Sequence, residues 1–231
     1  MVSITIPIII FSSLCFYYLH GIAFITSTFS SCNKIDTAHT IDIYEFIRKT
    51  WYVQMQQEVK YLRKDSFYCV TATYNIEPNR SVPLFNGKVI SVYNYANYYH
   101  VNGNPINTRN QTILCGRQLN KKDGSKLLVG LCNLPNVFAG QYWIIGYGPN
   151  IPPYEWAVVS GGQPHDKYPD GCTTQINKTN NAGLWIFART PKISNKNLQH
   201  AIQLLKNKGF ALSQLYNVHQ MGCKYEEAFI K

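Results

Sequence analysis

From residue 51 onward, apolar and polar positions alternate in short runs separated by turn residues, the pattern of an all-β barrel or sandwich. Strands are predicted near 51–60, 66–76, 87–95, 110–119, 126–133, 141–147, 154–160 and 183–190. Eight strands of this length can close a barrel around one small ligand, or can be filled by their own side chains. The breakers between them are Pro78 and Pro83, Asn86-Gly87, the run Asn102 to Pro105, Asp123-Gly124, and the stretch from Gly148 to Pro153. One segment switches to helical spacing: Ser194 is a good N-cap, Leu198, Ala201, Ile202 and Leu205 share a face, and Gly209 stands where the helix stops. Leu212 to Gln220 then reads as a ninth strand. No internal repeat or second domain boundary appears, so residues 24–231 form one domain.

Two segments are looser. Gly161 to Ala182 is rich in Gly, Pro, Asp, Asn and Thr and reads as a surface loop. Asn94 to Arg109 carries Tyr95, Tyr98, Tyr99 and His100, which either rim an opening or pack a long loop.

The hairpin at Asp123-Gly124 bears on the cysteines. Asp-Gly between alternating runs favours a two-residue turn. Counting outward from that turn sets Cys115 opposite Cys132 at a non-hydrogen-bonded site. There α-carbons approach to about 4.5 Å, within disulfide reach, so a Cys115–Cys132 bridge is predicted.

Residues 1–33 contain no Lys, Arg, Asp or Glu. The apolar run from Val2 to Ile25 reads as a signal peptide over 1–23, because Gly21-Ile22-Ala23 sets small residues at the two positions a signal peptidase inspects and so points to cleavage after Ala23. An uncleaved anchor and lipid attachment at Cys32 are the alternatives. Cleavage removes Cys15 and leaves six cysteines, an even number that suits an exported, bridged protein. Secretion, or delivery to the lumen of the secretory or vacuolar system, follows from both. Glycan acceptor triplets begin at Asn79, Asn110 and Asn177.

Apolar residues at 45 % and aromatics at 14 % suffice for a core. The net charge of +10 comes from 22 basic residues against 12 acidic ones. The basic residues are dispersed, with no stripe or arm of the kind that tracks a phosphate backbone, so nucleic acid is not an expected partner. Contact with an anionic membrane surface and homo-oligomer formation stay open. No Cys-x-x-Cys or Cys/His cluster has metal-ligand spacing, so no metal or cofactor is expected. His165-Asp166 and Glu226-Glu227 read as solvated surface, and no catalytic residues are assigned.

Three aromatic stretches remain: Trp51-Tyr52, Tyr154-Glu155-Trp156 through Gly161, and Gly183-Leu184-Trp185 through Arg189-Thr190-Pro191. Their order and spacing, with a helix and a last strand behind them, resemble the lipocalins, particularly the branch holding apolipoprotein D and the bacterial outer-membrane lipocalins. The resemblance implies an eight-stranded up-and-down antiparallel barrel with one C-terminal α-helix and a short ninth strand, carrying an apolar molecule in its mouth. It also implies that Trp51 packs beneath Arg189 to close the barrel base. Lys49 departs from the family pattern, which has glycine two residues before the tryptophan, and Pro149, Pro152 and Pro153 lengthen the turn before Tyr154. The resemblance pairs Cys69 with Cys223 and leaves Cys32 to reach Cys172.

Strand alternation carries the picture inside. Trp185, Phe187 and Arg189 share one face, and Arg189 turns inward at the base. Cys69 facing outward turns Val70, Ala72 and Tyr74 inward. Tyr74 and Trp185 also align with pocket-lining aromatics of apolipoprotein D-like proteins. Val70, Ala72, Tyr74, Trp185 and Phe187 are therefore the expected ligand-binding residues, for a fatty acid, sterol, retinoid, carotenoid or tetrapyrrole. An isomerase or de-epoxidase built on this fold, which would need a free reactive cysteine or a polar interior cluster, and a self-assembling protein with a filled barrel are the rival readings.

Overall fold

The computed structural model describes residues 31–107 and 113–231. The leader, Ala23, Cys15 and the acceptor triplet at Asn110 lie outside the described residues. A short helix, α1 (Ile43–Phe46), precedes seven consecutive barrel strands: β1 (Trp51–Gln57), β2 (Tyr68–Ile76), β3 (Val89–Asn97), β4 (Leu114–Asn120), β5 (Asp123–Leu131), β6 (Gly140–Gly148) and β7 (Trp156–Ser160). A small hairpin follows, β8 (Asp166–Tyr168) with β9 (Gly171–Thr173), then β10 (Leu184–Ala188), helix α2 (Asn195–Asn207) and β11 (Leu215–Asn217). Each barrel strand pairs antiparallel with the next, and β10 joins β7 to β1: Phe187 faces Ala157 on one side and Val53 on the other. The result is a closed eight-stranded up-and-down barrel.

Alternation along the strands sorts side chains to two cores. Val53, Val70, Ala72, Tyr74, Ile144, Val159 and Phe187 pack inside the barrel. Trp156, Val158, Leu184 and Ile186 point outward and are covered by Ala201 and Leu205 of α2. The helix begins where its sequence says: the Ser194 hydroxyl accepts the Asn197 N–H, and Gly209 takes the left-handed conformation (φ 79°) one residue past the C-cap.

Three predicted details differ. The hairpin between β4 and β5 turns at Lys121-Lys122, with Asn120 facing Asp123 and Cys115 facing Gly130, not Cys132. The bridge Cys115–Cys132 is present, reached diagonally at a Cα–Cα distance of 5.0 Å. The reason lies in Asn120 and Gly124. The Asn120 side chain accepts the Lys122 N–H and shapes the turn itself. Gly124 is small because any Cβ there would sit 2.8 Å from Cβ of Ile43, not because a turn needs it. The long 161–182 segment is also not wholly irregular, since it holds the β8–β9 hairpin and is tied down by Cys32–Cys172. The ninth strand is shorter than 212–220 because residues 212–214 form a 3-10 turn first.

The C-terminal segment does more than add a strand. β1 and β2 share only two pairs, Trp51 with Ala72 and Tyr52 with Thr71, and then separate. Toward the mouth the free edge of β1 takes β11, with Met55 opposite Asn217 and Gln57 opposite Leu215. His219 bridges onto Tyr68 of β2, and the Gln220 amide donates to the carbonyls of Val53 and Val70 at 2.7 Å each. The tail is thus a wedge in the β1–β2 seam. The Cys69–Cys223 bridge fastens it there.

Candidate functional site

The floor of the barrel is built by α1 and the turn after it. Asp42 caps α1 by accepting the N–H groups of Tyr44 and Glu45, which places Ile43, Phe46 and Ile47 across the barrel end. Trp51 is fully buried above them, its indole N–H donating to the Phe46 carbonyl at 2.8 Å. The Arg189 guanidinium lies over the indole, its carbon 3.4 Å from the ring centroid. Arg189 also donates to the carbonyls of Glu45, Phe46, Tyr154 and Lys49. Lys49, which departs from the glycine of the family pattern, therefore serves through its backbone. Burial, opposed by the Glu45 carboxylate, pulls the Arg189 pKa down to about 9, so it stays charged at neutral pH. These contacts are structural.

Glu45 links the floor to pH. The Arg48 side chain, bonded to it at 2.7 Å, holds its carboxyl below the ordinary range. A carboxyl with a depressed folded pKa stabilises the fold fully above its unfolded value, near 4.5, and loses that contribution as pH falls. Glu45→Gln is expected to flatten the decline in urea midpoint between neutral pH and pH ~3, compared with the wild-type chain.

Above the floor the interior is filled. The hydroxyls of Tyr74 and Tyr142 meet across the lumen at 2.7 Å, with rings in an edge-to-face arrangement. Burial pushes both phenols above their usual pKa, so both stay neutral. Ile90, Ile144, Ala157 and Val159 close in around them, each fully buried. Of the five residues expected to bind ligand, all lie on the inner face. Ala72, opposite Trp51, and Tyr74 and Phe187, against Phe46 and Trp51, belong to this packed half. Val70 and Trp185 stand nearer the mouth.

The mouth half has different chemistry. Trp185 is half-buried, and its ring lies over Gly183, where a Cβ would come within 2.1 Å of it. Asn94, on the same face as Ala72, and Leu131, on the same face as Leu114, are exposed although they point inward. Gln56 faces Trp185 across the β1–β10 pair. It is fully buried, and among the described residues neither its amide nitrogen nor its amide oxygen has a hydrogen-bond partner. Reasoning from the sequence missed Gln56 because the bulge between Val53 and Met55 reverses the alternation of β1. Without that bulge, counting from Trp51 turns position 56 outward.

Tyr98, Tyr99 and His100 follow β3 at the end of the barrel where β1 turns into β2, and the Tyr99 N–H donates to the Asp65 carbonyl of that turn. They stand outside the barrel, where a groove of about 420 Å³ separates their turn from the C-terminal tail. A second groove, about 630 Å³, lies outside at Arg80, Pro83 and Cys132.

No protein-family model matches the chain, and no curated protein matches it. Solved structures do. The cockroach major allergen Per a 4 is 15 % identical with a TM-score of 0.50, and the likeness covers 82 % of this chain and 94 % of that one. Apocrustacyanin C2 is 15 % identical with a TM-score of 0.54, covering 84 % and 92 %. Apocrustacyanin C1 gives 15 %, 0.54, 84 % and 91 %. At such identity the likeness speaks for the fold, which is the lipocalin fold: a closed eight-stranded barrel, one C-terminal helix and one extra strand.

Proposed function

We propose that this chain is a lipocalin of the apolipoprotein D-like branch that carries or sequesters one small, largely apolar molecule in the mouth half of its barrel. Gln56 carries the reading. A buried amide with no partner costs about 1–3 kcal/mol, and an apolar side chain of similar size would avoid that cost. A ligand with an apolar body and one polar end offers Gln56 a partner: the carboxylate of a fatty acid accepts from Nε2, and the hydroxyl of a retinoid alcohol can accept from Nε2 or donate to Oε1. Its body would lie against Val70, Trp185 and Leu114, where burial of apolar area supplies most of the affinity. All six cysteines among the described residues are bridged, which leaves them no thiolate for covalent chemistry and favours carriage over a thiol enzyme. Three bridges also fit an oxidising compartment, and we place the protein outside the cell or in the secretory or vacuolar lumen after removal of residues 1–23. Asn79 and Asn177 are exposed and suited to carry glycans.

The test is titration of the purified protein with oleic acid and with retinol, followed by tryptophan fluorescence. Trp185→Ala is expected to weaken both. Gln56→Leu is expected to raise the unfolding free energy by about 1–3 kcal/mol and to weaken oleic acid about tenfold, the worth of one hydrogen bond. A purely apolar probe such as hexadecane should bind both forms alike. Unchanged oleic acid affinity in both variants would remove the mouth as the site, and a protein that takes up neither ligand and assembles ligand-free would favour a filled interaction module.

A further inference from the structure

The groove beneath the tyrosine-rich turn is built around a second orphaned acceptor. Asn97, the last residue of β3, points out of the barrel and is 1 % exposed. Its Nδ2 donates to the Gly103 carbonyl at 2.7 Å and to the Tyr95 hydroxyl at 3.0 Å. A backbone carbonyl can only accept, so this contact fixes which end of the amide is which. The other end, Oδ1, has no donor among the described residues, and Asn97 lines the groove.

The remaining walls define what would satisfy it. Tyr95, Tyr98, Tyr99 and Tyr225 present aromatic surface, and Glu226 and Glu227 bring two carboxylates along the tail. Lys224 opposes them with one cation, which leaves the tail wall with a net negative charge. Asn102 ties that wall in place, accepting the Lys224 N–H and donating to the Gly222 carbonyl, one residue from the Cys69–Cys223 bridge. A buried acceptor asks for an N–H donor, aromatic faces attract a cation, and carboxylates do the same. The groove, at about 420 Å³, is the size of an ordinary small-molecule pocket.

We propose that this outer groove binds a small protonated organic amine, its N–H on Asn97 Oδ1, its charge facing Glu226 and Glu227, and its body against the tyrosine rings. The site uses no residue of the lumen, so its fate is separate from that of the carrier reading.

Calorimetric titration with 2-phenylethylammonium tests it, with phenylacetate as the anion of similar shape. The amine is expected to bind and phenylacetate not to. The double change Glu226→Gln, Glu227→Gln, at two exposed carboxylates, and separately Tyr99→Ala, at an exposed ring, should each weaken the amine about tenfold. Each variant should keep the wild-type urea midpoint and its oleic acid titration. Oleic acid should not displace the amine. The proposal is overturned by no amine binding at millimolar concentration, by equal binding of phenylacetate, by either variant retaining full affinity, or by displacement with oleic acid, which would put the amine in the lumen.

Discussion

Trp51→Ala is expected to lower the unfolding free energy by about 4–5 kcal/mol, the upper part of the range for truncating a buried aromatic. Three losses coincide at this position. A fully buried indole leaves a void between Phe46 and Phe187, whose rings lie 5.2 and 6.0 Å from it. The Phe46 carbonyl loses its indole donor, although Arg189 still serves it. The Arg189 guanidinium loses the aromatic face it covers while staying walled in by the floor. A cation stripped of one such face forfeits about 1–2 kcal/mol when shielded from water. Urea titration should show a lower midpoint with an unchanged slope. Lumenal affinity should be unaltered once the variant is folded, since Trp51 sits below the packed half. A loss under about 2 kcal/mol would show that the floor collapses to fill the void.

The second large effect belongs to the tail. Removing the Cys69–Cys223 bridge by paired serine substitution should cost about 5 kcal/mol on the loop-entropy argument, because 154 residues separate the two cysteines. The Cys115–Cys132 bridge spans 17 residues and should cost about 3 kcal/mol. The two variants differ in kind as well. Cutting Cys69–Cys223 should release the segment beyond Gln220 to limited proteolysis, whereas cutting Cys115–Cys132 should not. Equal losses in urea midpoint would show that local packing, not chain entropy, sets the contribution of each bridge.

Much of this architecture is visible in the sequence because its signals are local. Period-2 alternation marks strands, and Ser194 and Gly209 punctuate α2 at positions where only a cap and a left-handed residue serve. What escapes local reading is set by contacts across the chain. Gly124 looks like a turn glycine yet answers to Ile43 more than eighty residues away, and so the hairpin register shifts. Gln56 looks like an outward polar residue until the bulge in β1 turns it inward. Tyr98 and Tyr99 were equally consistent with a rim or a packed loop because nothing nearby says that the tail will pass beside them. Glu226 and Glu227, which read as plain solvated charge, are exposed, and only the course of the tail sets them in one groove with Asn97. Lumenal depth is likewise invisible in one strand's pattern, since it depends on Tyr74 and Tyr142 meeting from opposite walls.

The wedge of residues 215–220 has an implication for biosynthesis. During translation the first two barrel strands emerge early, yet the gap between them is filled by a segment made some 150 residues later. Until that segment leaves the ribosome, the nascent cylinder stays unzipped along one line, with unpaired backbone and the Cys69 thiol accessible. Sealing of that seam therefore waits for residues 215–220 to be made, in whatever order the other strands pair.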